Sequence, residues 1–159
     1  MNYSPALEEV VAVGGVITDR KPVDFHRLGL AGCIDRLTVP LRRQGTCVHW
    51  ETPHHGVEIS SGCASLLYQS AQVALSNTFK HAHATDVTVR LAAVFHGIRL
   101  MVADNGTGFE AVPRATGEGE ADRLGLKTIS QAVEEAGGTV NITSAPGTGT
   151  AITITIPLD

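Results

Sequence analysis

The stretch VADNGTGF, residues 102–109, ends an apolar run with a carboxylate and two glycines. A carboxylate at the end of an apolar strand is partly desolvated, so Asp104 needs a hydrogen-bond donor, and an exocyclic amine such as that of adenine is one. Gly106 and Gly108 have no side chains and tolerate positive φ, which lets a flat ring approach the backbone. Asp-Asn-Gly is also favourable chemistry for a solvated turn. By itself, the stretch leaves a binding site and a plain turn both open.

The sequence around this stretch predicts strands, one loop and one helix. Four segments alternate like strands: residues 85–93, 97–103, 139–144 and 150–157. The first two are joined by a predicted hairpin turn, and the last two flank a Pro-Gly-Thr-Gly turn. Residues 110–123 are polar, contain glycine and have no period, which predicts a loop. Residues 126–136 are amphipathic and predict a helix that Gly137-Gly138 ends.

The N-terminal half is predicted to be mostly helical. Three segments have helical patterns: residues 6–17, 24–43 and 61–82. Lys21-Pro22 ends the first of these helices, and Asp24 is the predicted N-cap of the second. Residues 46–51 alternate like a strand, with 57–60 as a short partner. Helices followed by an antiparallel-looking sheet, with one helix between strand pairs, predict an α+β fold of the two-layer sandwich type.

Length and composition favour one globular domain. The chain has 159 residues, of which 43% are hydrophobic, and a net charge of −4. The negative charge argues against a nucleic-acid binder that works by phosphate neutralisation. No apolar run is long enough to span a membrane, and no signal peptide is visible. Three widely spaced cysteines are typical of a reducing cytoplasm, so we expect a cytosolic chain, either complete or cut from a larger protein.

Two further stretches contain residue types suited to a nucleotide. Asn77, Lys80 and His81 lie about one turn apart near the end of the predicted helix 61–82, where an amide oxygen can ligate Mg²⁺ and a lysine can neutralise a phosphate. Gly125, predicted to lie just before the helix 126–136, can expose backbone N–H groups to a phosphate. Each feature has a bland alternative: a half-buried histidine, a solvated lysine or an ordinary loop-to-helix junction.

Taken in order, these motifs resemble those of the GHKL ATPase superfamily, which includes gyrase, histidine kinases and MutL. The resemblance is closest to sensor histidine kinases that signal to LuxR/NarL-type response regulators. Their N-box has the form Tyr-x-x-x-Gln-Glu-Ala-Leu-x-Asn-x-x-Lys-His-Ala, and residues 68–82 read YQSAQVALSNTFKHA. The G1 box is matched by DNGTGF at 104–109, and the last glycine motif by SAPGTGT at 144–150. RKP at 20–22 and LGL at 28–30 resemble the connector that precedes these domains.

The resemblance implies a Bergerat-type ATP-binding fold, with helices on one face of a mixed, mostly antiparallel sheet. It implies that residues 23–159 form the ATP-binding domain and that residues 1–22 are the end of a dimerisation helix and a connector. Asp104 would accept the adenine amine, helped by Thr150 through water, and Asn77 would ligate Mg²⁺ with Lys80 and His81 near the phosphates. Residues 110–123 would be the ATP lid. The remaining implied pocket residues are Gly106, Gly108, Arg123, Gly125 and Leu126.

The chain departs from the family pattern at two positions within the motifs. Val73 stands where the N-box has a glutamate that orients or deprotonates the attacking group or helps to position the waters of the metal, and Arg123 replaces the first glycine of the G2 box. Valine cannot do this chemistry, which motivates an alternative function: a nucleotide-binding or scaffolding module with little kinase activity. An arginine at 123 either contacts a phosphate or narrows the lid. A serine kinase acting on an anti-anti-sigma factor is a third possibility with the same fold.

The sequence also has no helix with the family's phosphoacceptor histidine. His49, His54 and His55 lie near a predicted turn and fit an exposed turn better than a metal site. We therefore expect the acceptor histidine to lie on dimerisation helices of the same longer protein or of a separate chain. A LuxR/NarL-type response regulator is the expected downstream partner, and neither nucleic acid nor direct membrane contact is expected.

Overall fold

The structure is a computed structural model that describes residues 10–13, 16–20, 25–51, 61–82, 84–94, 97–106, 120–145 and 149–157. Its helices are α1 (Phe25–Leu37), α2 (Val39–Arg43), α3 (Ser61–Asn77) and α4 (Glu120–Glu135), and α3 continues into a π-helical turn at Thr78–Ala82. Its strands are β1 (Val10–Val13), β2 (Val16–Asp19), β3 (Cys47–Glu51), β4 (Asp86–Val94), β5 (Gly97–Asp104), β6 (Thr139–Ala145) and β7 (Gly149–Pro157).

The main sheet has five strands in the order β3-β4-β5-β7-β6. Strand β3 runs parallel to β4, and the other three neighbouring pairs are antiparallel. Helix α3 lies between β3 and β4 in the chain, as a crossover between parallel strands requires. The predicted hairpins 85–103 and 139–157 are confirmed as β4–β5 and β6–β7. The short partner predicted at 57–60 lies outside the described residues.

One face of the sheet carries the core, because side chains alternate between its two faces. The buried positions of the three central strands are every second residue: Val87, Val89, Leu91, Ile98, Leu100, Val102, Ile152, Ile154 and Ile156. They share one hydrophobic cluster with residues of α1, α3 and α4, including Ile34, Leu67 and Ile129. Residues of the opposite face, such as Arg90 and Arg99, are exposed. The predicted α+β fold, with helices on one face of a mostly antiparallel sheet, is confirmed.

The helix predicted at 6–17 is wrong for the residues that the structure describes. Val10–Val13 and Val16–Asp19 form an antiparallel hairpin in which Val13 pairs with Val16. Both segments are rich in β-branched residues, which favour strands. Val10 and Ile17 are fully buried in the core cluster, so burial of the hairpin against the helices outweighs a weak helical period.

The other helices agree with the sequence pattern, except at one boundary. The segment predicted as a helix at 24–43 forms α1 and α2, and Asp24 lies outside the described residues. Helix α4 begins at Glu120, so the predicted loop 110–123 is wrong over its last four residues. Glu120, Ala121, Asp122 and Arg123 contain no glycine or proline, and acidic residues favour a helix's first turn.

Helix length and polarity also bear on membrane contact. Among the described residues, no helix combines the length and the apolar character that crossing a bilayer requires.

Candidate functional site

Strand register brings three polar side chains to one end of the helix-covered face. Asp104 ends β5 and is paired with Thr150 of β7, which in turn is paired with Ser144 of β6. Because each lies two residues from a core position of its own strand, all three belong to the face that the helices cover. The hydroxyls of Ser144 and Thr150 are 2.8 Å apart, and Thr150 is buried. The sequence-predicted Asp104 and Thr150 are therefore direct neighbours.

Gly149 allows this pairing, since it adopts a φ of 91° directly beside the end of β5. A Cβ at position 149 would overlap the carbonyl oxygen of Asp104. The glycine of the last motif is thus needed for close approach of β7 to the residue that carries the carboxylate.

The Asp104 carboxylate is held on both oxygens. The backbone N–H of Gly106 donates to Oδ1 at 2.9 Å, forming an Asx turn, and Thr78 Oγ1 donates to Oδ2 at 3.1 Å. The turn that the sequence left open as one alternative is therefore present, and the same carboxylate also accepts a long-range hydrogen bond from the helix layer. Since Thr78 follows Asn77 in the chain, the end of α3 and the end of β5 meet at this carboxylate.

Asn77 is the last residue of α3 and is only 9% exposed. Among the described residues, its side-chain nitrogen has no hydrogen-bond partner. A buried amide end without a partner is costly in a folded protein, which suggests that a ligand or water completes it. A half-turn of the amide exchanges its nitrogen and oxygen, so either a donor or a hard oxygen ligand can occupy that position. The residue fits the predicted Mg²⁺–nucleotide site on this ground.

The structure describes only part of the other residues that were predicted to lie near the phosphates. Lys80 and His81 lie in the π-helical turn that follows Asn77, and Lys80 is half-buried. π-Helical turns are frequent at functional sites because the extra residue re-aims the side chains around it. The side chains of His81 and Arg123 and the whole of Gly108 lie outside the described residues.

Gly125 and Leu126 lie in the second turn of α4, so the prediction that Gly125 precedes the helix is wrong. The N–H of a residue in the second turn belongs to the helical ladder and is not one of the free N–H groups of a helix start. Leu126 is buried in the core cluster. A Cβ at Gly125 would lie 3.5 Å from Val73, so α4 approaches α3 at the position where the N-box glutamate is missing.

A hydrogen-bonded network closes the same end of the sheet beside Asp104. The Asn105 side-chain oxygen accepts the N–H groups of Thr85 and Asp86, at 3.1 and 3.0 Å. His49 lies 2.8 Å from the Asp86 carboxylate, and hydrogen bonds from His49 and Thr85 lower the pKa of Asp86. This network ties the residue after Asp104 to the start of β4.

Of the three histidines that were predicted near a turn, the structure describes only His49, which lies on strand β3. His54 and His55 lie outside the described residues. Within the described part of the chain, no group of three or more His, Cys, Asp and Glu side chains could hold a metal ion.

Sequence reasoning missed Thr78, Ser144 and Asn105 as parts of the site. The signal for Ser144 is the hairpin itself, because a symmetric turn around residues 145–149 pairs it with Thr150. The pattern around Asn105 predicts a turn residue, but not its hydrogen bonds to Thr85 and Asp86. No local signal marks Thr78, whose partner lies 26 residues away.

Comparisons with known proteins agree with this geometry. The family model described as histidine kinase-, DNA gyrase B- and HSP90-like ATPase matches residues 62–159. The sensor histidine kinase LiaS of Bacillus subtilis is 32% identical over 139 residues, which cover 87% of this chain and 37% of LiaS. The sensor protein VraS of Staphylococcus aureus is 33% identical over 162 residues, covering 98% of this chain and 44% of VraS. The chain thus spans less than half the length of these relatives.

Solved structures show the same fold. The histidine kinase domain of the Erythrobacter litoralis EL346 blue-light activated kinase matches with a TM-score of 0.63 and 21% identity, over 96% of this chain and 68% of that one. Full-length ShkA in complex with AMPPNP matches with a TM-score of 0.67 and 22% identity, over 87% of this chain and 31% of that one. At these identities the likeness concerns the fold alone.

Proposed function

Because the chain belongs to the histidine kinase-, DNA gyrase B- and HSP90-like ATPase family, we propose that it is the ATP-binding catalytic domain of a two-component sensor histidine kinase. It holds Mg-ATP so that the γ-phosphoryl group faces a histidine on dimerisation helices outside this domain. Residues 23–159 are proposed as the domain, and residues 1–22, whose β1–β2 hairpin packs against α3, as the connector to those helices. The family resemblance also favours a LuxR/NarL-type response regulator as the downstream partner and a cytosolic location.

The observation that carries this proposal is the convergence at the Asp104 carboxylate. The side chain of Thr78, next to Asn77, reaches the carboxylate directly, and Thr150 lies opposite it in the sheet. Three segments far apart in the chain therefore meet at Asp104, and the residue before Thr78 is Asn77, whose buried side-chain nitrogen lacks a hydrogen-bond partner among the described residues. A carboxylate at the end of β5 and an amide at the end of α3 suit a ligand with an amine at one end and a metal-bound phosphate at the other.

The chain's own residues have distinct roles in this proposal. Asp104 accepts a hydrogen bond from the amino group of adenine, and Thr150 helps to hold adenine through a water molecule. Asn77 ligates the metal. Lys80, His81 and Arg123 are assigned to the phosphates, where lysine acts as a point charge. The remaining predicted residues shape the pocket: Gly106, Gly108, Gly125 and Leu126. Bound Mg-ATP supplies the transferable phosphoryl group and neutralises its charge, so the protein contributes chiefly positioning and electrostatics.

Val73 affects the expected rate of phosphoryl transfer and not the proposal that the chain is an ATP-binding kinase domain. Its side chain packs against the core and lies near Gly125, so position 73 contributes apolar contact instead of a base. The relatives are named as sensor kinases and sensor proteins, which favours the kinase over the scaffold interpretation. A Val73→Glu variant supplied with histidine-bearing dimerisation helices is expected to form phosphohistidine faster than the wild type. Equal rates would mean that the valine is not what limits transfer.

Binding of ATP tests the proposal directly. Titration calorimetry with Mg-ATP is expected to show binding to the wild type and a loss of about tenfold or more for Asp104→Ala, because the variant lacks a charged hydrogen-bond acceptor. Asn77→Ala is expected to lose the dependence of ATP affinity on Mg²⁺. Asn141→Ala, an exposed amide on β6, is the matched control and should bind like the wild type. Unchanged binding in both site variants would overturn the proposal.

A further inference from the structure

Thr78 is the first residue of the π-helical turn and is only 5% exposed. Its hydroxyl lies 3.2 Å from the carbonyl oxygen of Ala74 and 3.1 Å from Asp104 Oδ2. The contact with Ala74 joins residues four apart in one helix and is common for threonine. The contact with Asp104 spans 26 residues and joins the helix layer to the sheet.

A hydroxyl has one proton and can donate it fully to only one of these acceptors. A carboxylate oxygen is the stronger acceptor, because hydrogen bonds to charged groups are about twice as strong as those between neutral groups. Burial favours the same choice, since a carboxylate at the edge of the core would lose much by remaining unbonded. The proton of Thr78 therefore goes to Asp104 rather than to the helix carbonyl of Ala74.

With Thr78 on Oδ2 and the Gly106 N–H on Oδ1, both oxygens of the carboxylate are restrained. Two donors on different oxygens fix the plane of the group, which one donor leaves free to rotate. Each oxygen can accept two hydrogen bonds, so the restrained group keeps acceptor positions for a ligand. A binding group that is already oriented loses less conformational freedom when its ligand arrives.

We propose that Thr78 is a positioning residue that orients the Asp104 carboxylate toward the exocyclic amino group of a bound purine nucleotide. The proposal rests on the nucleotide-binding function proposed above. Because Thr78 acts through Asp104, its effect on affinity depends on the amino group of the ligand and is absent for a purine without one.

The test combines three variants with two nucleotides. Thr78→Val removes the hydroxyl at nearly constant shape, Thr78→Ser keeps it, and Thr153→Val is a matched control on the opposite face of β7. The nucleotides are Mg-ATP and the Mg complex of purine riboside triphosphate, which is ATP without the amino group. Affinities are measured by titration calorimetry. A Thr78→Ala variant takes the place of Thr78→Val if thermal unfolding shows that the valine variant is not folded.

Thr78→Val is expected to weaken ATP binding about fivefold, the order of one lost hydrogen bond, and to leave binding of the analogue within about twofold of the wild type. Thr78→Ser and Thr153→Val should bind both nucleotides like the wild type. Equal weakening for both nucleotides, or no recovery in Thr78→Ser, would overturn the positioning role. Asp104→Ala separates the two proposals. If Asp104→Ala binds ATP like the wild type, the proposed nucleotide-binding function is wrong. If Asp104→Ala binds ATP weakly and Thr78→Val binds it normally, only the proposed role of Thr78 is wrong.

Discussion

At the scale of single residues, the site is built from side chains that each meet a local and a long-range requirement. Asp104 closes an Asx turn with Gly106 and also receives the hydroxyl of Thr78. Gly149 is a turn glycine that also permits β7 to lie against the end of β5. Such residues are sensitive to substitution because a change that suits one requirement fails the other.

Gly149→Ala is expected to destabilise the protein by about 2 kcal/mol or more, since alanine is strained at positive φ and its Cβ overlaps the carbonyl of Asp104. Gly62→Ala is the matched control. Gly62 is exposed in α3, where no described atom would lie within 4 Å of an added methyl group, and alanine favours helices by up to about 1 kcal/mol. Urea denaturation measures both variants. Wild-type stability in Gly149→Ala would contradict the close approach of β7.

At the scale of elements, the β1–β2 hairpin is bound to α3 just before the site. Ser76 Oγ accepts the N–H of Ile17 at 3.0 Å, and the Gln72 side chain donates to the carbonyl of Ile17 at 2.8 Å. Asp19 at the end of β2 forms a two-pronged ion pair with Arg36 of α1. The hairpin therefore links α1 to Gln72 and Ser76 of α3, and Ser76 directly precedes Asn77.

The pair Asp19–Arg36 is expected to matter more for stability than the pair Asp35–Arg42. The side chains of Arg36 and Asp19 are 12% and 4% exposed, whereas those of Arg42 and Asp35 are both 46% exposed. Asp19→Ala removes both carboxylate contacts of a largely buried guanidinium, which costs about 3 kcal/mol. Arg42→Ala breaks a solvated pair and costs about 1 kcal/mol or less. Urea denaturation distinguishes the two, and equal losses would contradict the burial of the hairpin's ion pair.

At the scale of the whole molecule, the sheet collects segments that are far apart in the chain. The end of α3, the end of β5 and the β6–β7 hairpin meet because the antiparallel pairs β4–β5 and β5–β7 align their ends. Helix α3 connects these layers, because it packs on the main sheet, on α1 and on the β1–β2 hairpin. The site at its C-terminal end therefore depends on the packing of the entire helix layer.

Tyr68 of α3 reports on that packing through pH. Burial, followed by the negative charge of Asp19, raises the pKa of Tyr68 from 10.0 to about 12. Its phenolate absorbance should appear near pH 12 in the folded protein. The unfolded chain releases this proton first, so the contribution of Tyr68 to stability is complete below pH 10 and declines as pH rises toward 12.

Tyr68→Phe assigns that signal, because the chain has two tyrosines and the other is Tyr3. The variant should lose the ionisation near pH 12. Ionisation of Tyr68 near pH 10 in the folded wild type would contradict its burial beside Asp19.

Much of the fold is predictable where one local period dominates. The alternation at 85–103 and 139–157 and the helical pattern at 61–82 all correspond to observed elements. Predictions fail where local signals are weak or divided. Residues 10–19 combine a helical period with β-branched residues, and burial of Val10 and Ile17 decides for strands. The predicted start of α4 is too late because the glycine at 125 resembles a helix boundary, although it lies within the helix.

The sequence by itself determined the main strands, the long helix and the pair of motifs around Asn77 and Asp104, because these depend on neighbours within a few residues. Only the tertiary structure decided the parallel place of β3, the β1–β2 hairpin and the bond from Thr78 to Asp104. The first and the last join residues far apart in the chain, and the hairpin's divided local signals are resolved only by the burial of Val10 and Ile17. Their energies arise from burial and from hydrogen bonds that exist only once the helix layer rests on the sheet.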